Sequence, residues 1–72
     1  MSPKDIAVRL TASGLLKGNT YNYLDVDLYR DNRGFVISYD NKDKIFNQPI
    51  MAVFEFMKMV NRRREQVGNA SH

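Results

Sequence analysis

The chain has 72 residues, which is enough for one small domain with a modest hydrophobic core. Hydrophobic residues make up 43% and charged residues 26%, values typical of a folded domain and too apolar for a disordered one. There is no cysteine, and the one histidine is the terminal His72, which excludes disulfides, thiolate metal sites and the common histidine-based active sites. The composition therefore favours a binding protein over an enzyme and indicates neither a cofactor nor a metal.

The net charge is +3, and the basic residues are concentrated towards the two ends of the chain, with a slightly acidic middle. No basic and apolar leader opens the sequence, and no apolar run approaches the roughly 18 to 20 residues of a membrane span. We therefore expect a cytoplasmic protein without a membrane contact. We also expect a single domain over residues 1–68 and a frayed tail at residues 69–72.

The first segment has the features of a helix start. Ser2 can cap free amide groups, Pro3 suits the first helical position, and Asp5 lies near the positive end of the helix dipole. With Gly14 as the terminator, these features predict a helix over residues 3–13. Apolar side chains also alternate in this segment, as they would in a strand, and the cap is what favours the helix.

The middle of the chain has the alternation and turn residues of an antiparallel meander. Three strands are predicted, over residues 20–30, 35–40 and 44–46, joined by turns at residues 31–34 and 40–43. Pairing Leu28 with Ile37 aligns the apolar faces of the first two strands, whereas a shift by one residue would set apolar against polar faces.

The last segment is an apolar helix. Asn47 and Pro49 mark its start, and Gly68 lies just beyond its predicted end at Gln66. The sequence therefore predicts an α+β domain of order α-β-β-β-α, in which both helices cover one face of a three-stranded antiparallel sheet.

This last helix is apolar around most of its circumference. Its polar stripe is narrow, and the apolar residues span roughly 220°, whereas a surface helix needs little more than 100°. The sheet can cover one part of this arc, and three alternatives remain for the rest: the first helix, a second copy of the chain, or a groove on another protein. In the last two alternatives the contact residues are Phe56, Met59 and Val60.

The outward face of the predicted meander combines tyrosines with aspartates. In the predicted register this face carries Tyr21, Tyr23, Asp25, Asp27, Tyr29 and Asp40. One interpretation is a solvated face, and another is a contact surface for a partner with basic residues, since tyrosine is common at interface hot spots. A divalent-cation site formed by Asp25, Asp27 and Asp40 is a further alternative, although no calcium-loop spacing is present.

A basic cluster lies near the end of the last helix, where Lys58 precedes Arg62, Arg63 and Arg64. The simplest interpretation is a solvated helix end. The alternatives are contact with nucleic-acid phosphates or with an acidic protein.

The run from Leu24 to Met59 contains a hairpin, the segment Gly34-Phe35-Val36-Ile37-Ser38, an Asn/Asp turn and an apolar helix. In this order of elements it resembles some small phage-encoded anti-CRISPR inhibitors, which have a helix, three strands and a closing helix. Many of those inhibitors are acidic and mimic DNA, whereas this chain is basic. The resemblance implies a small accessory protein, of phage or mobile-element origin, that acts by contact.

The sequence therefore predicts a small non-enzymatic regulatory or inhibitory protein that binds a larger protein and forms a homodimer. The alternative is a small dimeric nucleic-acid-binding regulator that uses the C-terminal arginines. The two differ in their response to salt, because nucleic-acid affinity falls steeply as salt is added.

Overall fold

The computed structural model describes the backbone of residues 2–70 and the side chains of residues 2–66. Two helices and four strands follow one another as α1 (Pro3–Leu16), β1 (Tyr21–Tyr23), β2 (Val26–Asp31), β3 (Gly34–Tyr39), β4 (Lys42–Phe46) and α2 (Pro49–Ala70). The strands form one antiparallel sheet in the order β1-β2-β3-β4, and the helices pack against it. The predicted α+β class is confirmed, with four strands in place of three.

Helix α1 begins as the sequence predicts and ends later. The Ser2 hydroxyl oxygen accepts a hydrogen bond from the backbone N–H of Asp5 at 3.2 Å, which is the expected N-terminal cap. The helix then continues through Gly14 to Leu16, so Gly14 is not the terminator. This glycine is buried, and a Cβ at its position would overlap with the Tyr21 hydroxyl. Gly14 therefore allows β1 to approach the helix.

The predicted strand over residues 20–30 is in fact a hairpin of two strands. Leu24 and Asp25 have φ values of 51° and 64°, and two consecutive left-handed residues form a tight hairpin turn. Strand β1 folds back on β2, so that Tyr21 lies opposite Leu28 and Tyr23 lies opposite Val26. The prediction of one continuous strand is wrong because the alternation of side chains does not mark the turn.

The remaining hairpins follow the sequence more closely. Leu28 lies opposite Ile37, which confirms the predicted register of β2 and β3. Asp40 and Asn41 have φ values of 49° and 61°, so they complete the next turn alone. Strand β4 therefore begins at Lys42, two residues earlier than predicted.

Both helices lie on one face of the sheet, and the hydrophobic core fills the space between the two layers. Arg30 donates to the Leu16 carbonyl at 3.3 Å, which places the end of α1 at the Arg30 end of β2. Arg63 contacts Asp40 at the opposite end of the sheet, so α1 and α2 run antiparallel. The core consists of Val8, Ala12, Leu15, Val26, Leu28, Phe35, Ile37, Ala52, Val53, Met59 and Val60.

Helix α2 continues to Ala70, beyond the predicted end at Gln66 and through Gly68. The predicted frayed tail began at residue 69, and of this tail residues 71–72 lie outside the described residues. Within the described part of the chain, no helix combines the length and the apolar character that crossing a membrane requires.

The contact between Gly14 and Tyr21 gives a first prediction. Gly→Ala inside a helix ordinarily stabilises a protein by about 0.5–1 kcal/mol. Gly14→Ala should instead destabilise this chain by about 1–3 kcal/mol, because the new methyl group meets the Tyr21 side chain. Urea denaturation of Gly14→Ala in the parent and in Tyr21→Phe measures this effect. The loss should shrink in the Tyr21→Phe background, and an equal loss in both backgrounds would contradict the contact.

A second prediction separates the observed hairpin from a continuous strand. Glycine adopts a left-handed backbone without steric cost but weakens a strand interior by about 0.5–1 kcal/mol. Asp25→Gly should therefore raise the free energy of unfolding by up to about 1 kcal/mol, because Asp25 lies in the turn. Asp27→Gly, two residues later in β2, should lower it. If thermal melts show that both variants are destabilised, the turn is placed wrongly.

Candidate functional site

The tyrosines and aspartates predicted to share one surface are divided by the fold. Tyr21 and Tyr23 lie opposite the core residues Leu28 and Val26, so they are on the helix side of the sheet. Asp27 and Tyr29 point to the other side, which we call the open sheet face. Asp25 and Asp40 lie in two different turns. The predicted cluster is therefore wrong, because the turn at Leu24 and Asp25 reverses the side of the sheet on which the first two tyrosines lie.

Carboxylates on the open sheet face are engaged within the chain. The Arg33 guanidinium contacts Asp31 at 2.7 Å and Asp43 at 3.2 Å. Hydrogen bonds from Arg33 lower the pKa of Asp31, and the same contacts raise the pKa of Arg33. Asp27 accepts a hydrogen bond from the Asn22 side chain. This face therefore offers a basic partner less unpaired negative charge than the sequence suggested.

The cation-site alternative finds no support in the described part of the chain. Asp25, Asp27 and Asp40 occupy one turn, one strand and another turn. Among the described residues, no group of three or more aspartate, glutamate, histidine or cysteine side chains could hold a metal ion.

The three consecutive arginines do not form one basic surface. Consecutive residues of a helix point about 100° apart, so these side chains diverge around α2. Arg63 contacts the Asp40 carboxylate at 2.9 Å, and Arg64 lies over the Tyr23 ring, 5.6 Å from the ring centroid. Arg62 is exposed and lines the flank of α2 opposite to Arg64, together with Lys44 and Glu55. The expected cluster with Lys58 is therefore divided among several surfaces.

The apolar arc of α2 is covered largely by the chain itself. Met59 and Val60 are only 8% and 7% exposed, and Phe56 packs against the same core. Of the three alternatives, packing of α1 beside α2 is the one observed. The prediction of a contact face through Met59 and Val60 is wrong, because Met59 is buried in the core of the monomer and Val60 is exposed only slightly, where it lines a groove beside α2.

Other apolar side chains remain exposed on the side of the helices that faces away from the sheet. Leu10 is two residues from both Val8 and Ala12, so it points away from those buried residues and is 68% exposed. Phe54 stands in the same relation to Ala52 and Phe56. We group these exposed residues as the outer helical surface: Ile6 and Leu10 on α1, and Ile50, Met51 and Phe54 on α2, where Met51 and Phe54 also line a groove with Phe46. The sequence shows that α1 carries apolar residues on two sides. It does not show which of the two sides is buried.

A groove lies beside α2 where β1 and the start of α1 meet it. We call it the Tyr23 groove; it has a volume of about 470 Å³ and is lined by Lys4, Tyr23, Phe56, Met57, Val60, Asn61 and Arg64. The Arg64 guanidinium makes a cation–π contact with the Tyr23 ring and donates to its hydroxyl at 3.5 Å. The groove thus joins Tyr23, Phe56, Val60 and Arg64, which the sequence had placed in three separate sites.

On the other flank of α2 two cations are paired with carboxylates. Lys44 contacts Glu55 at 2.9 Å, and Arg63 contacts Asp40 at the same distance. The hydrogen bond between Lys44 and Glu55 lowers the pKa of Glu55 and raises the pKa of Lys44. These pairs tie β4 and the turn before it to α2.

Comparison with family models, with curated proteins and with solved structures finds no match to this chain. The function is therefore argued from the surfaces described above.

The ion pair between Lys44 and Glu55 gives a third prediction. A carboxylate with a lowered folded-state pKa stabilises the fold above its unfolded pKa and loses that contribution as the pH falls through the folded value. Glu55→Gln should therefore lower the thermal midpoint slightly at pH 7. Its difference from the parent should shrink as the pH falls below 4.5, the ordinary value for glutamate.

Thermal melts at pH 7, 5 and 3 measure this difference. Lys44→Gln is the matched variant, because it removes the other partner of the same pair. The double variant should lose little more than either single variant. A deficit of Glu55→Gln that is undiminished at pH 3 would show that the carboxylate charge is not its cause.

Proposed function

We propose that this protein is a small non-enzymatic regulatory or inhibitory protein that docks onto a larger protein through its outer helical surface. The observation that carries the proposal is the exposure of five large apolar side chains on the side of the helix pair facing away from the sheet. Each of them is between 46% and 68% exposed. Nothing in the two-layer fold requires apolar side chains at these positions.

The size of this surface favours a contact. A large side chain presents roughly 150–200 Å². Five side chains that are about half exposed therefore offer roughly 400 Å² of apolar area, which is in the range of the patches on monomers that are often functional. Burial of this area supplies the favourable free energy that docking needs.

The same estimate favours a larger partner over a second copy of the chain. Two copies joined through the outer helical surface would bury roughly 800 Å² of apolar area, or about 1,200 Å² in total at the apolar fraction of homodimer interfaces, whereas obligate homodimers bury about 2,000 Å² or more. A larger protein can also cover the polar flanks of the helix pair. The experiment must therefore distinguish the homodimer expected from the sequence from a complex with a larger protein.

A nucleic-acid-binding function receives less support from the described residues. Arg63 is engaged by Asp40 and Arg64 by Tyr23, and the arginines point in different directions. Neutralising several phosphates of one backbone needs cations along a shared surface.

The fourth prediction tests the outer helical surface. A photo-cross-linking residue at Leu10 should capture the partner from cells, whereas the same residue at Asp43 on the open sheet face should not. Against the purified partner, Phe54→Glu should weaken binding by about tenfold or more, as the loss of a hot-spot residue does. Ile45→Glu is the matched control, since Ile45 is similarly exposed but lies on the other side of the sheet.

Thermal melts should show both variants folded, because both side chains are exposed. Weakening by Ile45→Glu and not by Phe54→Glu would move the partner to the open sheet face. Sedimentation at micromolar concentration tests the second copy: a dimer that Phe54→Glu dissociates would replace the proposed partner with a homodimer. Capture of nucleic acid, with affinity that falls steeply with salt, would favour the alternative regulator.

A further inference from the structure

We infer that the Tyr23 groove binds a short protein segment that carries a large apolar side chain beside an aspartate or glutamate. The groove shares no residue with the outer helical surface, so it is a second contact of different chemistry. Three features support this inference: the apolar floor of the groove, its unpaired cations, and the fixed position of one of them.

The floor of the groove is apolar and adaptable. Phe56, Met57 and Val60 line it, and the unbranched methionine side chain can adjust to differently shaped groups. The volume of about 470 Å³ falls within the range of roughly 300–1,000 Å³ found for ligand sites. A leucine or phenylalanine side chain can therefore be buried there.

Neither cation of the groove has an acidic partner among the described side chains, whereas three other cations do. Arg33, Lys44 and Arg63 each lie within 3.2 Å of a carboxylate. Among the side chains of residues 2–66, no carboxylate lies within 4.0 Å of Lys4 or Arg64, and none lines the groove. The groove is thus complementary to an incoming carboxylate.

Arg64 is held in a position suited to this task. Its guanidinium lies over the Tyr23 ring, 5.6 Å from the ring centroid, and makes one long hydrogen bond, of 3.5 Å, to the tyrosine hydroxyl. Because guanidinium carries five N–H donors in a planar fork, donors remain to bind a carboxylate in a bidentate manner. The contacts with Tyr23 also favour this orientation of the side chain before binding, which reduces the entropy lost on association.

An acidic peptide fits these features better than a nucleic acid does. A phosphate would also be attracted to Lys4 and Arg64, but a phosphate backbone would leave the apolar floor in contact with water. A segment with adjacent apolar and acidic side chains satisfies the floor and the cations together.

The fifth prediction uses a capped hexapeptide, Gly-Glu-Phe-Leu-Glu-Gly, and its analogue with both glutamates replaced by glutamine. Titrated into isotopically labelled full-length protein, the acidic peptide should shift the backbone amide signals of Lys4, Tyr23 and residues 57–64. The glutamine peptide should bind about fivefold more weakly, as the loss of one exposed ion pair implies.

Variants identify the cation responsible. Arg64→Gln should weaken the acidic peptide about fivefold and should not weaken the glutamine peptide further. Arg62→Gln is the matched control, because it removes the same charge from an exposed side chain outside the groove. At 150 mM salt its effect should be small, since screening limits interactions beyond about 8 Å.

The inference would be overturned by any of these results: no shift of the groove amides at millimolar peptide, equal affinity for the two peptides, or equal losses in Arg62→Gln and Arg64→Gln. Shifts confined to the outer helical surface would also overturn it, because they would assign the peptide to apolar contact there. If the groove does not bind the peptide, the proposed docking through the outer helical surface is unaffected, because its test changes Leu10 and Phe54.

Discussion

The two-residue turn at Leu24 and Asp25 determines how the helices and the sheet meet. Because both residues adopt a left-handed backbone, β1 returns along β2 and places Tyr21 and Tyr23 on the helix side of the sheet. Tyr21 then occupies the space that Gly14 leaves on α1, and Tyr23 forms the wall of a groove and a platform for Arg64. A continuous strand would provide neither contact.

Much of the architecture could be predicted from local signals. The Ser2 cap, the pairing of Leu28 with Ile37 and the start of α2 at Pro49 each depend on a few neighbouring residues. The first hairpin could not, because leucine is unusual in a left-handed turn and apolar residues alternate straight through it. A two-residue turn exchanges odd and even positions between the two sides of a sheet. Because the turn was not predicted, Tyr21 and Tyr23 were both placed on the wrong side.

For the helices, too, the sequence pattern does not show which side chains the rest of the fold covers. A helical projection reveals that α2 is apolar over a wide arc, but it does not reveal which part α1 covers. Met59 and Val60 are buried in the core that α2 shares with α1 and the sheet, whereas Ile50 and Phe54 remain exposed. The consecutive arginines were read as a cluster along the sequence, whereas the geometry of a helix separates them.

The apolar residues exposed on α2 are confined to its first turns, which bears on what they do. Farther along the same side of the helix, Lys58, Asn61 and Glu65 keep the surface polar. The outward side therefore changes from apolar to polar within one helix, although the sheet and α1 support both halves. Phe54 stands in the apolar part of this side, and the proposed docking contact accounts for its exposure there.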